Sequence, residues 1–256
     1  MQYYKYILKK RKKIINNIKI TRSVVPNLLT MGNAFSGFAA IIFISQGNFK
    51  FAAFYIAMAA IFDMFDGIVA RILQATSELG GELDSLCDAI SFGIAPSFFL
   101  YKAYFEQFGE IGIVFSSIPV LTGVYRLARF NSQLTSHSDK LYFKGLPIPA
   151  GALIILSYTI FYVIDVNYFA PETTKILTII VTILVGVCMV STIKFANFPR
   201  PTINNFRANP VIFIGVIIAI ILGIYTMGKS VFPTMLIYIL YSIISEVIII
   251  IKNIKA

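Results

Sequence analysis

The chain has 256 residues, of which 57% are hydrophobic and 13% charged, and its mean hydropathy is +0.79. A soluble domain of this size carries about twice that charged fraction, so a water-soluble globular fold is excluded, and apolar runs of about 20 residues point to a chain that crosses a bilayer. The net charge of +10 does not imply nucleic acid as a partner, because the basic residues gather at the ends of the apolar runs, where membrane topology accounts for them.

Residues 1–22 are basic and amphipathic. Tyr4, Ile7, Leu8, Ile14, Ile15 and Ile18 recur at helical spacing with lysines and Arg11 between them. Such a segment lies on an anionic membrane face rather than crossing it. It lacks the apolar stretch and small-residue cleavage site of a signal peptide. Eight spans are predicted beyond it, at about 27–45, 51–72, 84–104, 111–128, 149–168, 174–193, 210–227 and 231–251. Pro26, Pro149, Pro210 and Pro233 fall near span starts, where proline is tolerated. The expected fold class is therefore all-α: a polytopic transmembrane bundle of about eight spans behind an N-terminal interfacial helix.

With the N-terminus inside, 18 Lys and Arg residues fall on the cytoplasmic side and only Lys50, Lys102, Lys175 and Lys229 on the other. This asymmetry predicts cytoplasmic termini and cytoplasmic loops at about 73–83, 129–148 and 194–209.

Four aspartates stand in the second and third predicted spans. Asp63 and Asp66 are three residues apart, and Asp84 and Asp88 are four apart, so each pair projects from one helix face. A short turn with Gly80 and Gly81 makes the helices antiparallel neighbours, with both pairs near the cytoplasmic end and facing each other. Carboxylates inside a membrane are costly and mark function. Four of them converging cannot all stay ionised unaided, and the nearest cation in sequence is Arg71. Oxygen-only ligands favour a hard divalent ion such as Mg²⁺ or Mn²⁺, and two such ions suit a displacement at phosphorus. Gly67 would let a nucleotide approach the helix backbone. The bland alternative, aspartates that cap helices or pair with arginines, suits Asp84 near a helix start but not four at paired spacing. Cys87 and Cys188 lie in apolar stretches, outside any CxxC pair, and His137 is the only histidine. That excludes two-histidine and Cys–His schemes and favours direct transfer over a covalent intermediate.

The residues read Asp63-x2-Asp66-Gly67-x2-Ala70-Arg71-x8-Gly80-x3-Asp84-x3-Asp88. At this spacing the sequence resembles the CDP-alcohol phosphatidyltransferases, and every fixed position of that family's motif is filled. The resemblance covers the first six spans. It implies a core over 23–193, set between the interfacial segment 1–22 and an extension, 194–256, made of a cytoplasmic loop and two spans. By matching position, it implies Asp63, Asp66 and Asp84 as ligands of one metal and Asp63, Asp84 and Asp88 as ligands of a second. It also implies Asp88 as the base on the acceptor hydroxyl, Gly67, Arg71 and Ser77 as contacts to the CDP-lipid, and a homodimer. The run from Pro26 to Thr30 is similar to the family's other nucleotide-binding segment, which adds Asn27 and Thr30; helix capping is the competing role for both.

The stretches Tyr125–Asn131 and Tyr142–Gly151 resemble the membrane-spanning phosphatidylserine synthase branch, implying CDP-diacylglycerol and L-serine as substrates. Arg126 and Arg129, three residues apart, would hold a carboxylate in a forked contact, with Asn131 receiving the ammonium. The competing reading takes these arginines as positive-inside anchors or lipid headgroup contacts. Glycerol 3-phosphate or inositol phosphate as acceptor, or a cation transporter built on the aspartates, are the alternatives. A phosphorylated acceptor would want a denser cationic pocket, and a transporter would want its carboxylates at the midplane. Glu246, in the last span, is expected to snorkel or to meet a neighbouring helix.

Overall fold

The computed structural model describes residues 23–75, 77–134, 142–165, 169–196 and 210–255. The predicted interfacial segment, Thr76, His137, Arg200 and Arg207 lie outside these residues.

The first two helices, α1 (Val24–Ser45) and α2 (Phe49–Ile72), form a tight hairpin. Gly47 makes the turn at φ 72°, a left-handed conformation that glycine adopts without strain. Asn48 then caps α2 by accepting from the Phe51 amide. The next helix, α3 (Glu78–Asp88), begins at Ser77, whose hydroxyl accepts from the Gly80 amide at 3.0 Å. Directly after Asp88 the backbone widens into a π-helical turn, Ala89–Ile94, and continues as α4 (Ala95–Ala103). The predicted third span thus starts earlier than its hydropathy suggests and is not a uniform helix. Wide turns of this kind gather at functional sites.

A 3-10 turn, Phe105–Phe108, leads into α5 (Gly109–Leu134). There follow β1 (Tyr142–Lys144), α6 (Ile148–Tyr158, extended by a π-helical turn over Thr159–Ile164), α7 (Pro171–Val190), β2 (Lys194–Ala196), α8 (Pro210–Tyr225) and α9 (Val231–Lys255).

This is a multi-pass membrane protein. Among the described residues, six helices are long and apolar enough to cross a bilayer: Val24–Ser45, Phe49–Ile72, Glu78–Ala103, Phe105–Ser132, Pro171–Val190 and Val231–Ile248. Ile148–Ile164 and the 16-residue α8 are apolar helices that fall short of that length.

The ends of two predicted loops are paired rather than irregular. β1 and β2 run antiparallel, with Phe143 opposite Phe195 and Lys144 opposite Lys194. Three-residue strands leave no periodic signal in a sequence. This ribbon is anchored by the fully buried Phe195, whose ring lies 5.8 Å from that of Tyr238 on α9. Lys194 pairs with Glu246 at 3.7 Å, which gives the acidic residue in the last helix its partner. The last helix therefore packs on the ribbon and on α6.

The core holds Phe99, Phe105, Ile148, Ile154, Val185 and Met189. The bundle's outer faces carry exposed Phe35, Phe38, Phe54, Ile111 and Ile180, as expected where lipid is the solvent. Helices approach closely at small residues. A Cβ on Gly186 would stand 2.5 Å from the side chain of Ile118.

Candidate active site

The α2–α3 turn brings two helix ends together, and the carboxylates meet there. Oxygens of Asp63, Asp66 and Asp84 all lie within 4.8 Å of one another. Asp63 also reaches both Asp84 and Asp88. Asp66 and Asp88 are buried, and Asp63 and Asp84 are partly so. The four aspartates singled out by spacing are therefore one cluster, because an i, i+3 pair and an i, i+4 pair each occupy a single helix face.

Carboxylate oxygens only accept hydrogen bonds, so such contacts repel unless a cation or proton lies between them. Arg71 does not supply the charge: it is exposed and forms no salt bridge with these residues. Among the described residues, Asp66 Oδ2 and Asp84 Oδ1 are buried without a hydrogen-bond partner. Two such oxygens, in a group of three converging carboxylates, fit a hard divalent cation.

The first helix, α1, closes the cluster on another side. Asn33, fully buried, donates from Nδ2 to Asp88 Oδ1 at 3.1 Å. Thr30, one turn earlier and also buried, bonds the Pro26 carbonyl at 3.0 Å and sits beside Asp66. Asn27 points toward the start of α3, its Oδ1 lying 3.5 Å from where a Cβ on Gly80 would be. Gly67 faces open space, since an added Cβ there would meet nothing nearer than an Arg71 nitrogen at 4.0 Å. Ser77 is engaged as the cap of α3.

The two arginines expected to act as a fork serve different places. Arg126 is 6% exposed and lies near the Asp88 carboxylate and the Tyr238 phenol. Arg129 instead donates to the carbonyls of Val190, Lys144, Met189 and Ser191 at 2.7–3.3 Å. It caps the end of α7, whose last carbonyls lack helical partners, and ties them to β1. The i, i+3 spacing was correct, but the exposed carbonyls at that helix end offer Arg129 a nearer set of acceptors. Asn131 joins α5 to α3, accepting from Ser85 at 3.2 Å and donating to Glu82 at 3.4 Å.

One turn from the carboxylates begins an open apolar pocket of about 250 Å³. Ala57, Ala60, Phe92, Leu153 and Phe161 are among its lining residues. Ala60 precedes Asp63 by three residues and Phe92 follows Asp88 by four, so pocket and cluster share two helix faces.

The pattern that defines the CDP-alcohol phosphatidyltransferases matches residues 23–251. The chain belongs to this family. It is similar to proteins named CDP-diacylglycerol–serine O-phosphatidyltransferase from Helicobacter pylori and Bacillus subtilis. The first is 36% identical over 228 residues, covering 89% of this chain and 92% of the relative. The second is 35% identical over 186 residues, covering 72% and 96%. An archaetidylserine synthase from Methanothermobacter thermautotrophicus is 35% identical over 185 residues, covering 71% and 74%. CDP-alcohol phosphatidyltransferases are metal-dependent, in keeping with the cluster found here.

Sequence reasoning did not single out three residues that the structure places against the expected ones: Asn33, bonded to Asp88, Glu82, bonded to Asn131, and Tyr238, beside Arg126. Asn33 had a legible signal, a polar residue inside an apolar span, one turn beyond Thr30. Glu82 and Tyr238 had none, since their relevance depends on the approach of α5.

Proposed function

We propose that the chain transfers the phosphatidyl group of CDP-diacylglycerol to L-serine, giving phosphatidylserine and CMP. The observation that carries this reading is the convergence of Asp63, Asp66 and Asp84, with Asp88 adjoining, in a chain of this family. The names of the relatives support serine as the acceptor.

Asp63, Asp66 and Asp84 would hold one divalent cation, Mg²⁺ or Mn²⁺, and Asp63, Asp84 and Asp88 would hold a second. When bound, they supply Lewis acidity toward the pyrophosphate oxygens and the departing CMP. Asp88 takes the proton from the serine hydroxyl. That oxygen bonds to the phosphorus carrying diacylglycerol, and the bond from this phosphorus to the CMP oxygen breaks, the electron pair leaving with CMP. Gly67 lets the CDP moiety lie against α2, with Arg71 beside it and Asn27, Thr30 and Ser77 along the α1 and α3 edge. Arg126 meets the serine carboxylate, while Asn131 and Glu82 provide oxygens toward its ammonium group. An acyl chain of the donor occupies the apolar pocket below the carboxylates.

The site and both termini face the cytoplasm, which the basic-residue asymmetry supports. The enzyme works as a homodimer, as the family resemblance suggests. The direct test is to supply purified enzyme with CDP-diacylglycerol, radiolabelled serine and Mg²⁺ or Mn²⁺. Label must enter lipid in step with CMP release; absence of labelled lipid with every cation tried would refute the proposal.

A further inference from the structure

We infer that Asn33 is a positioning residue for Asp88: its amide holds one carboxylate oxygen so that the other is presented to the acceptor hydroxyl. This inference rests on the reading of Asp88 as the base.

Asn33 is fully buried in a largely apolar helix, where a side-chain amide is costly unless it is bonded. Its partner lies 55 residues away on another helix, at 3.1 Å. The carboxylate also fixes the orientation of the amide, because turning Oδ1 toward Asp88 would set two acceptors against each other. Among the described residues Asn33 Oδ1 has no partner, and the Asp88 contact is the amide's direct bond.

The backbones beneath this contact are locked. Ser91, in the π-helical turn, donates to the Asn33 carbonyl at 2.9 Å. One turn further along α1, Gly37 presses against the same residue: a Cβ on it would stand 2.3 Å from Ser91 Oγ and 2.8 Å from Ser91 Cα. No larger residue fits there without driving α1 off the turn. Asp88 is the last residue of α3 before the widened turn. These contacts seat α1 on the turn that follows Asp88, while the Asn33 amide alone touches the carboxylate. Groups that orient a reacting carboxylate in this way commonly change activity by about 10- to 100-fold when removed.

The test compares Asn33→Leu and Asn33→Asp, which keep the branched outline and remove the amide donor, with Ser91→Ala, which leaves that donor in place. Both Asn33 variants are expected to lower kcat by about 10- to 100-fold. The KM and equilibrium binding of CDP-diacylglycerol should stay within about twofold of the parent. Ser91→Ala should lower the unfolding temperature and keep kcat within a few-fold. Parent-like kcat in the Asn33 variants, with Asp88→Asn inactive, would overturn this inference and leave the base assignment standing. Parent-like turnover in Asp88→Asn would overturn both. Equal loss of donor binding and kcat, or failure of both Asn33 variants to fold, would assign Asn33 to the scaffold and likewise overturn the inference.

Discussion

Arg126 and Arg129 stand one helical turn apart on α5 but serve different parts of the protein. Arg126 is buried beside the Asp88 end of the carboxylate cluster, and Arg129 holds the last carbonyls of α7. Their substitutions should therefore separate. Arg126→Ala is expected to raise the serine KM by about ten- to a hundredfold, the loss of one charge-assisted contact of about 1.5–3 kcal/mol, with little change for the CDP-lipid. Arg129→Ala should chiefly lower the unfolding temperature. Steady-state kinetics in both substrates, beside thermal unfolding in detergent, checks this; a selective serine defect in Arg129→Ala would restore the fork.

Removing divalent cations should abolish turnover, and Mg²⁺ or Mn²⁺ should restore it. Asp66 Oδ2 and Asp84 Oδ1 have no partner among the described residues, which leaves them to an added cation in the proposed mechanism. Asp63→Asn, altering the residue that touches both Asp84 and Asp88, should weaken Mn²⁺ binding measured directly by calorimetry. Full activity in chelator-treated buffer would contradict the metal assignment.

Asp88→Asn should eliminate transfer while leaving CDP-diacylglycerol binding largely intact. The substitution keeps the shape beside Asn33 and removes the proton acceptor. Single-turnover assays with a parallel binding measurement distinguish this from a damaged site, which would lose both.

Ala57 and Ala60 line the apolar pocket one turn from the aspartates. Enlarging Ala57 to Phe should raise the KM for long-chain CDP-diacylglycerol more than that for a short-chain analogue. An equal effect on both would place the acyl chain elsewhere.

Much of this site was legible in the sequence for physical reasons. Carboxylates in an apolar span are costly, and helical spacing states which of them share a face, so Asp63, Asp66, Asp84 and Asp88 could be placed together before the fold was known. Positive-inside bias could only suggest sidedness. The roles of Arg129 and Asn131 were not legible, because their partners on α7 and α3 lie 46–62 residues away in the chain. The wide turn after Asp88 was hidden for another reason: Ala89–Ile94 has an ordinary apolar composition, and the ring size of its hydrogen bonds leaves no periodic mark.

The most direct measurement of the central claim is CMP release from CDP-diacylglycerol with L-serine, serinol and glycerol 3-phosphate in the same assay. The proposed function predicts release with serine, weak release with serinol, which lacks the carboxylate assigned in that proposal to Arg126, and little with glycerol 3-phosphate. Serinol reacting as well as serine would contradict recognition of the carboxylate. Glycerol 3-phosphate proving the better acceptor would contradict serine as the substrate.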